Sequence, residues 1–166
     1  MRALGVDPGT AITGWGIVEL APDGQDLNLV AYGAITTPAK MPLPERLTVI
    51  YDDLTEIIAQ YQPDTAALES LFFSRNTRTA LSVGHGRGAA MLALAKAGLA
   101  IAEYKPLEVK QAVVGYGGAD KGQVQRMVKL LLNLEEIPRP DDAADGLAVA
   151  ICHLHSARLK FLIDNA

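Results

Sequence analysis

Four carboxylates stand where a chain could put chemistry. Asp7 follows a short apolar run, Ala3–Val6, and opens the turn Asp7-Pro8-Gly9-Thr10. Glu69 follows a second run, Thr65–Leu68. Asp142 and Asp145 are three residues apart at the start of a helical stretch, so they share one face of its first turn. If the two runs are adjacent parallel strands, Asp7 and Glu69 emerge at the same carboxyl edge. The last helix then needs only to pack with its N-terminus at that edge. Carboxylates brought that close would repel and raise one another's pKa. A hard divalent cation relieves this, and Mg²⁺ prefers oxygen ligands while keeping several waters. Two such ions about 3.5–4 Å apart can clamp the attacking and leaving oxygens of an in-line phosphodiester displacement. Taken alone, Asp7-Pro8-Gly9 reads as a turn and Asp142 as a helix cap. Glu69, acidic between an apolar run and Leu71-Phe72-Phe73, is poorly explained by packing. Together the four favour a metal site.

The elements that must hold these residues are legible in outline. Thr13–Leu20 is β-prone and pairs back on the first strand as a hairpin. Leu27–Thr36 reads as a third strand after the turn Ala21-Pro22-Asp23-Gly24. Over Pro42–Gln62 the period changes. Leu47, Ile50, Leu54, Ile57 and Ile58 recur every three or four residues, as on a helix face. Asn76–Ala97 reads as a small-residue helix capped by Gly98, Leu99–Tyr104 as a fifth strand, and Lys105–Ala119 as a loop containing Gly115, Gly117 and Gly118. Asp120–Leu134 and Asp141–Leu162 read as helices, with Pro138 and Pro140 in the linker between them. The order βββαβαβαα predicts an α/β fold with a five-stranded mixed sheet, an antiparallel meander followed by parallel strands, flanked by helices. Neither a repeat nor a domain boundary is visible, so residues 1–166 read as one domain, the last few residues forming a tail.

Bulk features narrow the function further. The 166 residues are 49% hydrophobic and 20% charged, which excludes a disordered chain. Net charge is −4 with a pI near 5.3, unlike a uniformly basic nucleic-acid binder. The total hides a split. Residues 1–69 hold 3 basic and 10 acidic side chains, residues 70–130 hold 9 and 3, and residues 131–166 hold 3 and 6. The middle is therefore basic, through Arg75, Arg78, Lys105, Lys110, Lys121, Arg126 and Lys129 among others. Such a stretch is either a solvated face or a phosphate track that binds by releasing counterions. Phe72 and Phe73, two of only 3 Phe in the chain, sit just before Ser74-Arg75-Asn76 and favour the track. One of them can stack on an unpaired base while the other packs inward, and we assign Phe72 outward. The lone Cys152 points to a reducing compartment. With no signal peptide and no apolar run of about 20 residues, a cytoplasmic protein is expected.

Five sequence blocks then resemble one family. They are Gly5-Val6-Asp7-Pro8-Gly9 with Thr13-Gly14-Trp15-Gly16; Leu68-Glu69-Ser70-Leu71-Phe72; Val109-Lys110-Gln111-Ala112-Val113-Val114-Gly115; Asp120-Lys121-Gly122-Gln123-Val124; and Asp142 through Ala150. In this order they resemble the RuvC family of bacterial Holliday junction resolvases, within the RNase H-like superfamily, over nearly the whole chain. The resemblance implies an RNase H-like fold and places the family's four catalytic acids on Asp7, Glu69, Asp142 and Asp145, with Asp141 a weaker neighbour. It also implies two Mg²⁺ per subunit, with Mn²⁺ able to substitute. It puts a base-stacking role on Phe72 and cleavage roles on Lys110 and Lys121. Arg75, Asn76, Arg78 and Lys105 join them as expected DNA contacts. The implied substrate is a four-way DNA junction, cut in pairs by a homodimer to leave 5′-phosphate and 3′-hydroxyl ends. The implied partner is the RuvAB branch-migration motor. The family often has Ala where this chain has Gly146, a change expected to act on helix propensity by about 1 kcal/mol and not on the ligands.

Remaining features carry structural expectations. Gly84-His85-Gly86-Arg87-Gly88 lacks the strand before it and the Lys-Ser/Thr after it that a phosphate loop needs, so close approach between helices is the simplest reading. His153 and His155 lie two to three turns past Asp145, too far to reach a metal there, and Trp15 reads as core. Two other activities stay open: an RNase H-like nuclease acting on ribosomal RNA, and an actin-like ATP-binding protein, whose phosphate loop also begins Asp-x-Gly-Thr. The second needs two duplicated domains, and this chain shows one.

Overall fold

In the computed structural model, which describes residues 1–70 and 77–164, the first three strands form an antiparallel meander. They are β1 (Arg2–Asp7), β2 (Ile12–Leu20) and β3 (Leu27–Thr36). Helix α1 (Leu43–Tyr61) then leads to β4 (Thr65–Glu69), and α2 (Thr77–Lys96) to β5 (Ala100–Tyr104). Three helices close the chain: α3 (Pro106–Val114), α4 (Lys121–Leu131) and α5 (Asp141–Asp164). The strand order is β3-β2-β1-β4-β5. Strands β1 and β4 are adjacent and parallel, with Val6 opposite Leu68, as the placement of Asp7 and Glu69 requires.

Helices cover both faces of the sheet. Leu4, Val6, Ile17, Ala66 and Leu68 point to α1 and α2, where they meet Ile50, Leu54, Ala90 and Leu94. Ala3, Val18 and Ala67 point the other way, to α5 and the α3–α4 pair. Side chains alternate along a strand. Asp7 therefore shares a face with Ala3, and Glu69 with Ala67. Both acids lie on the α5 side. Helix α5 is apolar nearly all round its middle, with Leu147, Ala148, Val149, Ala150, Ile151 and Leu154 all buried, as a helix enclosed by sheet and other helices must be.

Two expectations are corrected. Most of the stretch expected as a loop, Lys105–Ala119, is helix α3. Pro106 sits at its first position, where a missing N–H costs nothing. The Lys105 N–H donates to Glu108 Oε2 at 2.6 Å. The glycines that suggested a loop mark only its end: Gly115 takes φ +80° as the cap. The second correction concerns Gly86. A Cβ there would lie 2.8 Å from the Gly9 carbonyl carbon, so α2 closes on the β1–β2 turn rather than on another helix. Thr10, itself buried, donates its hydroxyl to the Ser82 carbonyl oxygen. The Asp7-Pro8-Gly9-Thr10 turn is thereby held from the α2 side.

No described helix is long and apolar enough to cross a membrane. The expectations for Phe72, Phe73, Arg75 and Asn76 fall outside the described residues, and the Arg78 side chain does too.

Candidate active site at the carboxyl end of β1 and β4

Backbone packing sets the position of the acids. Strand β2 carries Gly14 opposite Asp7, and Gly16 opposite Gly5 on β1. A Cβ on Gly14 would lie 1.8 Å from the Asp142 carbonyl oxygen, and one on Gly5 2.2 Å from that of Gly146. A Cβ on Gly16 would meet Leu147, and one on Gly146 would come within 2.7 Å of the Trp15 backbone. These glycines form a floor on which α5 lies almost backbone to backbone. Its N-terminal turn, with Asp142 and Asp145, is set down beside Asp7. The expectation that Gly146 acts only through helix propensity is therefore incomplete. A side chain there also costs space against β2.

Electrostatics report how close the four acids come. The Asp7 carboxyl is pushed up to about 7, first by burial and then by the charges of Glu69, Asp145 and Asp142. Glu69 is raised by burial and by Asp145, while a side-chain hydrogen bond with Asp7 and the charges of Lys110 and Lys121 oppose the shift. Asp145 is raised by burial, against a hydrogen bond from Lys121. Asp7 and Glu69 are thus hydrogen-bonded to each other, and Lys121 Nζ donates to Asp145 Oδ2 at 2.9 Å. Among the described residues the acids are neighbours rather than a closed cage of three or more ligands.

Beside them is a cavity of about 260 Å³ lined by Glu69, Asp145, Lys110 and Lys121, with Val109, Val124 and Ala148 as its apolar wall. Helix α3 delivers Lys110 and the first residue of α4 delivers Lys121. The helix that sequence reading missed is thus one of the site's supports. Lys105, the N-cap of α3, is exposed and does not line this cavity. Asp141 lies in the first turn of α5, paired with Arg139 at 2.6 Å. His153 is remote, as expected. Its Nε2 is 2.9 Å from Thr65 Oγ1 and its Nδ1 2.9 Å from the Tyr104 hydroxyl. Thr65 gives its proton to the Ala100 carbonyl, so His153 donates from Nε2 and accepts at Nδ1. Burial lowers its pKa and keeps it neutral.

The family model described as "Crossover junction endodeoxyribonuclease RuvC" matches residues 3–153. This chain belongs to the RuvC family. A RuvC relative from Chloroflexus aggregans is 63% identical over 157 residues, 95% of this chain and 94% of that one. Another, from Ruminiclostridium cellulolyticum, is 54% identical over 165 residues, 99% of this chain and 98% of that one. The solved structure of Thermus thermophilus RuvC in complex with a Holliday junction substrate superposes with a TM-score of 0.90 at 35% identity, covering 96% of each chain. The yeast mitochondrial resolvase Ydc2 shares the fold, at a TM-score of 0.66 and 14% identity, over 96% of this chain and 82% of that one. The protein is thus a crossover junction endodeoxyribonuclease of RNase H-like fold, and RuvC nucleases depend on a divalent metal. An all-carboxylate set, one member of which is pushed up to about 7 by burial and by its acidic neighbours, suits a hard cation.

Proposed function

We infer that this chain resolves four-way DNA junctions in recombination and repair. We further propose that Asp7, Glu69, Asp142 and Asp145 hold the divalent cations that the reaction needs. One observation carries the assignment. These four acids, drawn from two strands and a helix, come close enough that burial and the charges of the other three push the Asp7 carboxyl up to about 7, and Glu69 and Asp145 line one cavity. The proposed ions are two Mg²⁺ per subunit, with Mn²⁺ as a substitute. When bound, such ions activate water and stabilise the leaving oxygen of a phosphodiester. Asp7 and Glu69 would serve as ligands in their ionised form, which a bound cation would favour. Lys110 and Lys121 face the same cavity and hold the non-bridging oxygens of the scissile phosphate, where negative charge grows. Water oxygen bonds phosphorus as the P–O3′ bond breaks, and the leaving O3′ takes up a proton from solvent, leaving a 5′-phosphate and a 3′-hydroxyl.

Phe72, Arg75, Asn76, Arg78 and Lys105 are proposed as DNA contacts on family correspondence alone. A homodimer supplies two sites to a junction of matching two-fold symmetry. Leu81 and Leu92, eleven residues apart and therefore on one face of α2, are 64% and 54% exposed and support a partner on that helix. We also propose that the chain works as a single domain in the cytoplasm with the RuvAB motor. Cleavage of a synthetic four-way junction in Mg²⁺, Mn²⁺ and EDTA, with linear duplex and RNA as controls, tests the reading. Paired cuts in the junction alone, dependent on the cation and lost in Asp7→Asn with junction binding retained, are expected. Equal cutting of all three substrates, or an active Asp7→Asn, refutes it.

A further inference from the structure

Lys121 makes a contact that its proposed role at the phosphate does not need. Its ammonium lies 2.9 Å from Asp145 Oδ2 and 4.0 Å from Asp141 Oδ2. The backbone beneath it is fixed. Asp120 Oδ1 accepts the Gln123 N–H at 2.9 Å, and Gln123 Oε1 accepts the Asp120 N–H at 2.8 Å. The side chain above that cap is 54% exposed on a flexible four-carbon stem. Lys110 lines the same cavity yet makes no ion pair among the described residues. Arg139 already holds the other Asp141 oxygen. Asp141 thus offers Lys121 a second, weaker seat just outside the cavity.

We propose that Lys121 competes with the divalent cation for Asp145, so that the lysine is released toward DNA only when the cation takes its place. This rests on the ligand set proposed above and goes beyond it. An ammonium and a divalent ion on the same carboxylate oxygen exclude each other, by contact and by like charge. The ammonium end of this pair is 54% exposed, and a solvent-facing lysine holds its partner weakly, so the contact yields to a ligand. Asp141 then holds the displaced ammonium near the site until a phosphate arrives. Lys121 acts on the cation as a positioning residue, through Asp145.

The test is Mn²⁺ binding to the DNA-free protein, followed by electron paramagnetic resonance, with circular dichroism to verify folding. Lys121→Gln is expected to lower the Mn²⁺ Kd at least fivefold. Lys121→Arg, which keeps charge and reach, stays within twofold of wild type, and so does Lys110→Gln, which removes a cavity charge without touching Asp145. A Lys121→Gln gain no larger than that of Lys110→Gln overturns the proposal, because general electrostatics would then suffice. Asp7→Asn separates the two layers of argument. If it leaves Mn²⁺ affinity unchanged, the ligand set itself is wrong. If it abolishes binding while Lys121→Gln is neutral, only the competition fails.

Discussion

Asp7→Asn should abolish cleavage and stabilise the protein at the same time. A carboxyl moved from 3.8 to about 7 is poorly accommodated as an anion. Each pKa unit corresponds to about 1.4 kcal/mol, so ionised Asp7 costs the fold about 4 kcal/mol at most. Because the folded value is the higher one, the native state binds the extra proton. The penalty is absent below about pH 4, grows as pH rises toward 7, and is constant above that. Asparagine is neutral throughout and still offers Glu69 an N–H donor. In EDTA at pH 8 the variant should gain 2–4 kcal/mol, roughly, over wild type, which for a domain of this length raises Tm by on the order of 10 °C. Near pH 4 the gain should shrink below about 1 kcal/mol. Urea denaturation at the two pH values, each in EDTA, reads both numbers. Excess Mg²⁺ should narrow the gap at pH 8 by stabilising wild type alone. A variant no more stable than wild type at pH 8, or a gain independent of pH, refutes the account of Asp7.

Three further outcomes follow from the packing. Gly14→Ala puts a methyl 1.8 Å from the Asp142 carbonyl oxygen. Helix α5 must shift, with a loss of about 1–3 kcal/mol or more and of junction cleavage, measured together by thermal melting and assay. Wild-type activity would show that α5 is not seated on this floor. Burial pushes the Cys152 thiol up to about 11. A thiol reagent at pH 8 should therefore label the native protein far more slowly than the urea-unfolded chain, and equal rates would contradict the burial. His153→Leu strips the Tyr104 hydroxyl and the Thr65 side chain of their partner and should cost about 1–3 kcal/mol. Its Mg²⁺ dependence of cleavage should be unchanged, since the ring is remote from the acids. An altered cation requirement would place His153 closer to the chemistry than its hydrogen bonds allow.

Much of the fold was legible because burial leaves a period in the sequence. The recurrences at Ile50, Leu54 and Ile58 gave α1, and all three are buried. The acids at strand ends gave a candidate site, because parallel pairing of β1 with β4 is the simplest way to use both, and that pairing is present. Helix α3 was not read, because Gly115, Gly117 and Gly118 drew attention to flexibility. The stop signal at Gly115 and the start signal in Lys105-Pro106-x-Glu108 bracket a helix whose buried residues, Val109 and Val113, are only two. The glycine floor is harder to see, because its glycines belong to two strands and a helix. Its signal was present: glycines alternating along β2 leave one face without side chains, which only another backbone can fill. Lys121 was legible as a cation near phosphate, but its contact with Asp145 depends on how α4 and α5 sit together, and no local pattern encodes that.

The grip of α2 on the β1–β2 turn has a mechanical meaning. Thr10 is hydrogen-bonded to Ser82 and the Gly9 backbone rests on Gly86, while Leu81 and Leu92 on the same helix look outward. A body seated on those leucines loads a lever whose other side touches the residues just after Asp7. The turn and the helix meet through these two contacts. If a second copy docks on those leucines, as proposed, its seat and the Asp7 turn share one helix.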